Sequence, residues 1–212
     1  MKRLNYAEII HHITMTSAER IDGLYKALES IHQNKIAGDI VECGVWRGGN
    51  IIIAKTALDS VNSKRIYWAY DTFEGMTQPT KNDPPEAHSI WQLPGYGACL
   101  SPLDEVIANF KQWGVWDDCI RIVKGDINQT LLDKNNLPGQ ISILRLDTDW
   151  YESTLLELEI LYPRLVPGGY IIIDDYGHWS GCRQAVHEYF GQSFTENNFI
   201  KLDYAGIMYK KS

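Results

Sequence analysis

The chain has 212 residues, 44% apolar and 22% charged, a balance that supports a sizeable buried core and argues against disorder. Twenty lysines and arginines against 27 aspartates and glutamates leave a net charge of −7, and with no basic stripe this excludes a nucleic-acid partner. The longest apolar runs, such as Tyr170–Ile173, are too short to cross a bilayer, and residues 1–10, with Glu8 among them, lack a signal-peptide pattern. Cys43, Cys99, Cys119 and Cys182 form no CxxC pair and no zinc spacing, so reduced thiols in a cytoplasmic protein without a membrane partner are expected.

The first element predicted is a helix over about Ser17 to His32. Thr16 and Glu19 stand as a capping box, and Ile21, Leu24, Tyr25, Leu28 and Ile31 fall on one face. After Gly38 a pattern recurs in which a short β-branched run ends in an acid. The runs are Asp39–Glu42, Ile66–Asp71, Ile120–Asp126, Ile141–Asp147 and Tyr170–Asp175. Helices are predicted over Gly49–Ser60, over Pro102–Trp113 with Ser101 as N-cap, and over Thr154–Tyr162. Strands alternating with helices imply a parallel α/β sheet with helices on both faces, right-handed crossovers, and a ligand beyond the carboxyl ends of the strands. Phe199–Leu202 and Ile207–Lys210 are expected to add an antiparallel edge. The whole chain, 1–212, reads as one domain, with residues 1–37 as an N-terminal lid and helix. Residues 74–101, rich in proline and glycine, read as an active-site loop offering His88, Trp91 and Tyr96 to a substrate.

The first strand runs into Glu42-Cys43-Gly44-Val45-Trp46-Arg47-Gly48-Gly49-Asn50. Glycines such as Gly44 and Gly48 let the backbone turn sharply and a ligand approach closely. The spacing is G-x-x-x-G-G rather than the G-x-G-x-x-G of dinucleotide sites. Glu42 would repel a pyrophosphate but could pair with an ammonium, and S-adenosylmethionine carries an ammonium and no phosphate. Asp71, 22 residues after Gly49, is placed for ribose hydroxyls, and Asp126 for the adenine edge.

Asp147-Thr148-Asp149 closes the fourth strand and Asp174-Asp175 the fifth. Four neighbouring carboxylates repel one another unless they are protonated or bridged by a cation, and all-oxygen donors suit Mg²⁺. The expected ligands are Asp147, Asp174 and Asp175, leaving Asp149 free as a general base. Trp150, beside these acids, is expected near the acceptor. Arg145, within an apolar strand, needs an acidic partner if buried. Together the two sites suggest methyl transfer to an oxygen whose proton a carboxylate accepts.

Several blocks carry a family likeness: Thr14–Arg20, Gly38–Gly49, Asp71-Thr72-Phe73-Glu74-Gly75, Leu146–Asp149 and Asp174–Trp179. Over about Thr14 to Phe190 the chain resembles the macrocin O-methyltransferase family, class I magnesium-dependent sugar O-methyltransferases of macrolide and aminocoumarin biosynthesis. The resemblance implies a Rossmann-like class I methyltransferase fold with a mostly parallel seven-stranded sheet. It implies donor contacts at Glu42, Gly44, Asp71, Thr72 and Asp126, with Met15–Thr16 folding over S-adenosylmethionine. It also implies Mg²⁺ at Asp147, Asp174 and Asp175, a base at Asp149, and His178 near a sugar or glycosylated small-molecule acceptor. A homodimer or larger homo-oligomer is compatible with it. Two other readings use the same residues: a metal-dependent glycosyl- or phosphotransferase with Asp147-Thr148-Asp149 as a D-x-D site, and a non-catalytic binding protein of the same fold.

Overall fold

The computed structural model describes residues 1–93 and 99–212. In chain order, α1 (Tyr6–Ile9) and α2 (Ala18–Gln33) precede β1 (Asp39–Cys43), α3 (Gly49–Asp59) and β2 (Tyr67–Asp71). Then come α4 (Pro85–Trp91), α5 (Leu103–Gln112), β3 (Ile120–Lys124), α6 (Ile127–Thr130) and β4 (Ile141–Leu146). The chain closes with α7 (Tyr151–Ile160), β5 (Leu165–Ile173), α8 (Ser180–Phe190), α9 (Gln192–Asn198), β6 (Ile200–Lys201) and β7 (Ile207–Lys210). One seven-stranded sheet runs in the order β3-β2-β1-β4-β5-β7-β6. Pairings from β3 to β5 are parallel, while β7 is antiparallel to β5 and to β6.

Each central strand is apolar on both sides because helices cover both faces. Ile40, Ile143, Ile172 and Met208 pack with Leu24 and Leu28 of α2 and Ile51–Leu58 of α3. Val41, Leu144, Ile171, Ile173 and Ile207 face the other way, toward Leu158 of α7 and Val186 of α8. The strand order reverses between β1 and β4, so the crevice that takes ligands in such sheets opens above these two strands. Among the described residues, no helix is long and apolar enough to cross a membrane.

Some boundaries differ from expectation. The cap of α2 is Ser17, whose hydroxyl accepts from Arg20 N–H, because Thr16 Oγ1 is already engaged by Asn50 and Arg145. Helix α5 begins after Pro102 without a side-chain cap, and Ser101 Oγ is buried without a partner among the described residues. Helix α7 starts at Tyr151, three residues early, since Asp83 Oδ1 receives Tyr151 N–H at 2.8 Å. The expected loop over 74–101 contains α4, opened by Pro84-Pro85, where proline's fixed φ suits a first turn.

Candidate active site

The glycine turn is shaped by contact rather than by flexibility. Gly44 has φ +79°, and a Cβ there would stand 1.9 Å from the carbonyl oxygen of Asp147. Only glycine lets the β1 turn pass that close to the end of β4. Gly48, at φ +83°, caps α3 and leaves no room for a Cβ against Phe110. Asp71 then ties the turn together: its Oδ2 accepts from Val45 and Trp46 N–H at 2.8 and 3.0 Å, and its Oδ1 from Phe73 N–H at 2.8 Å. Thr72 Oγ1 donates to the carbonyl of Gly75 at 2.5 Å. Asp71 is therefore first an organiser of the turn, and a ribose would meet only its remaining lone pairs.

Strand register explains the acids. Glu42 on β1 is the register partner of Arg145 on β4, which pairs in turn with Ile172 on β5. Residues two apart on a strand share a face, so Asp174 lies on the Arg145 side and Asp175 on the opposite side. Arg145 accordingly binds Glu42 Oε1 at 2.9 Å, Asp147 Oδ2 at 2.6 Å, Asp174 and Thr16 Oγ1. Arg20 reaches the second oxygen of Asp174 and also Asp203 at 2.8 Å. Both oxygens of Asp174 are thus committed to guanidinium groups. The carboxylates whose oxygens converge within 4.8 Å of one another are Asp147, Asp149 and Asp175. The converging trio differs from the expected ligand set in one member: Asp149 stands where Asp174 was anticipated.

Burial, and for Asp149 and Asp175 mutual repulsion, raises the acids of this cluster. Glu42, 2% exposed, has its pKa pushed up to about 8 by burial, against the pull of Arg145 and Asn50. Its Oε2 has no hydrogen-bond partner among the described residues. Burial, with the charge of Asp147 adding to it, raises Asp149 above the usual carboxylate range. Asp175 is raised by burial and by the charges of Asp149, Asp147 and Asp174, and its Oδ2 too is buried without a partner among the described residues. An unpartnered buried oxygen at each end, Glu42 Oε2 and Asp175 Oδ2, fits a cationic ligand at each end. An ammonium suits the first, and a hard divalent ion suits the second, all-oxygen, set.

One cavity of about 390 Å³ joins these groups, within the range of small-molecule sites. Met15, Thr16, Glu42, Gly44, Asp71, Thr72 and Asp126 line it together with Asp147, Asp149, Asp174, Asp175 and His178. Gly48 shapes the turn from outside the lining. Trp150 does not face the cavity: it is 2% exposed and donates through Nε1 to Thr77 O at 2.8 Å. Its neighbour Trp179, 5.2 Å away ring to ring, takes the lining position and donates Nε1–H to Asp149 Oδ2 at 3.0 Å. His88 and Trp91 contact Thr80 O and Met76 O of their own loop instead of the cavity, and Tyr96 lies outside the described residues. Asn50, Arg20, Trp179 and Tyr204, none of them anticipated as site residues, also line the cavity.

The profile of the macrocin-O-methyltransferase (TylF) family matches residues 9–211. The chain belongs to that family. An 8-demethyl-8-(2,3-dimethoxy-alpha-L-rhamnosyl)-tetracenomycin-C 4'-O-methyltransferase from Streptomyces olivaceus is 36% identical over 198 residues, 93% of this chain and 75% of that protein. A mycinamicin III 3''-O-methyltransferase from Micromonospora griseorubida is 33% identical, covering 98% and 81% of the two chains. Among solved structures, the O-methyltransferase NovP superposes with a TM-score of 0.85 at 29% identity, over 94% of this chain and 82% of that one. This macrocin-O-methyltransferase family member is an O-methyltransferase, and it shares its fold with methyltransferases solved with S-adenosylhomocysteine bound. A glycosyl- or phosphotransferase role for Asp147-Thr148-Asp149 is set aside by that membership.

Proposed function

We propose that this enzyme transfers the methyl group of S-adenosylmethionine to a hydroxyl of a sugar or glycosylated small molecule, assisted by Mg²⁺. The observation that carries the reading is the shared cavity, in which Glu42 and Asp71 face the same space as Asp147, Asp149 and Asp175. One relative methylates a rhamnosyl-tetracenomycin at its 4' oxygen and another mycinamicin III at its 3'' oxygen, which supports a glycoside acceptor and a role in antibiotic tailoring. Four unpaired cysteines suit work in the reducing cytoplasm.

In this reading Glu42 Oε2 takes the donor's ammonium, with Met15 and Thr16 closing over it. Asp71 and Thr72 present their remaining lone pairs to the ribose, and Asp126 faces the adenine. Asp147 and Asp175 belong to both the expected and the converging sets and would hold the divalent ion, Asp174 joining through lone pairs its arginines leave free. When bound, such an ion supplies Lewis acidity that eases deprotonation of a nearby hydroxyl. Asp149 accepts the hydroxyl proton, and Trp179 fixes its Oδ2 so that Oδ1 is the oxygen left to do so. The acceptor oxygen then displaces the sulfonium, forming the O–CH₃ bond as the S–CH₃ bond breaks and leaving S-adenosylhomocysteine. His178 and Tyr204, with His178 Nδ1 3.5 Å from the Tyr204 hydroxyl, stand at the mouth where a sugar would enter.

The test is a screen of glycosylated acceptors with S-adenosylmethionine, with and without Mg²⁺. Methylated product that disappears on chelation and returns with Mg²⁺ supports the reading. Equal turnover in chelator removes the metal from it.

A further inference from the structure

Beneath the Asp147-Thr148-Asp149 turn lies an acid to which the reaction above gives no part. Glu157 stands on the inward side of α7, one turn after Ser153 and one before Leu161, and is 0% exposed. Its Oε1 accepts from Thr148 Oγ1 at 3.0 Å and the buried Cys43 thiol also donates to the carboxyl, while Oε2 is sealed among the described residues with no oxygen or nitrogen partner. Burying an acid without a compensating cation is costly, and a leucine would fill the same place at no such cost. Burial pushes its pKa well up, and the charges of Asp147 and Asp149 add to that push.

The turn above it is one that needs holding. Asp149 has φ +67°, a left-handed conformation that a non-glycine residue keeps only when its surroundings impose it. The Thr148 carbonyl accepts from Trp150 N–H at 2.7 Å and from Ser153 Oγ at 3.3 Å, so the start of α7 grips the peptide. The Thr148 hydroxyl donates to Glu157, and Thr148 lines the cavity together with Asp147 and Asp149 on either side.

We propose that Glu157 is a positioning residue for the divalent-cation centre, setting the placement of Asp147 and Asp149 by accepting the Thr148 hydroxyl. The proposal rests on the metal reading given above. It differs from a packing role in what it demands of the oxygen: an acceptor for Thr148, independent of charge and of stability.

The experiment is calorimetric titration of the full-length protein with Mn²⁺, with S-adenosylhomocysteine affinity and thermal midpoint measured alongside. Glu157→Leu is expected to keep or raise the midpoint, leave S-adenosylhomocysteine affinity within about twofold, and weaken Mn²⁺ binding at least about tenfold, the scale seen for residues that orient metal ligands. Glu157→Gln, which keeps an acceptor oxygen for Thr148, should stay within about threefold of wild type, far from the loss given by removing an orienting partner. Thr148→Val should reproduce the leucine loss with Glu157 intact, and it decides the matter if the leucine variant does not fold. Wild-type Mn²⁺ affinity in Thr148→Val, or equal losses in Glu157→Gln and Glu157→Leu, would overturn the proposal. Absence of Mn²⁺ binding by the wild-type protein would instead fell the metal reading, and this inference with it.

Discussion

Glu42 and Asp147 are held by the same nitrogen: Arg145 Nη1 donates to Glu42 Oε1 at 2.9 Å and to Asp147 Oδ2 at 2.6 Å. The acid proposed for the donor's ammonium and the acid proposed for the metal are therefore one guanidinium apart. Arg145 is 3% exposed, so these ion pairs stand almost out of water and removing one member leaves charge stranded.

Arg145→Met is accordingly expected to destabilise the fold by about 3–5 kcal/mol, the usual cost of stripping one partner from a buried ionic group. Urea unfolding followed by circular dichroism measures it. A loss under about 1 kcal/mol would mean that the acids relax into water or protonate at little cost.

Glu42 gives a pH signature. Its folded pKa, about 8, lies above the ordinary glutamate value, so the native state binds the proton more tightly than the unfolded state. Its contribution is fully present at low pH and is lost as pH rises from the ordinary glutamate range through about 8. Stability of the ligand-free protein should fall less over that window in Glu42→Gln than in wild type. The proposed donor pose puts an ammonium there and favours the carboxylate, so at pH 7 donor binding should release up to about one proton per site. Calorimetry in buffers of different ionisation enthalpy reads the release, and a buffer-independent enthalpy would argue against an ammonium at Glu42.

Asp71 anchors three backbone amides of the turns around the proposed donor site. Asp71→Ala should weaken S-adenosylmethionine binding by about 1–3 kcal/mol, from lost hydrogen bonds to a charged acceptor. Donor affinity at the wild-type value would place the ribose elsewhere.

Asp149→Asn keeps the size of the side chain and removes its basicity. It should leave S-adenosylhomocysteine affinity nearly intact and cut methyl transfer by about 10²–10⁴-fold, the usual worth of a positioned base. Unchanged turnover would take the base role from Asp149.

Much of this was legible in the sequence because the fold writes itself as a repeat. Five β-branched runs ending in acids, separated by helical spacings, determine a parallel sheet and the rim on which Glu42, Asp71, Asp126, Asp147 and Asp174 stand. What was harder to see depends on side-chain direction. Asp174 and Asp175 are adjacent, so they leave β5 on opposite faces, and parity with Ile172, the register partner of Arg145, could have assigned Asp174 to the arginine. Trp150 and Trp179 are alike in type, and only packing decides that Trp150 turns inward to Thr77 while Trp179 lines the cavity. Glu157 left a faint signal, an acid at helical spacing with buried Ser153 and Leu161. Its partner Thr148 lies nine residues away and meets it only because the chain turns at Asp149.

The central claim is that one cavity holds a sulfonium donor at Glu42 and a divalent ion at Asp147 and Asp175. A crystal structure with S-adenosylhomocysteine and Mn²⁺, phased on the manganese anomalous signal, tests it most directly. The account predicts the ligand's amino group in hydrogen-bond contact with Glu42 and an anomalous peak bonded to oxygens of Asp147 and Asp175. An amino group away from Glu42, or manganese bound outside this acid cluster, would contradict it.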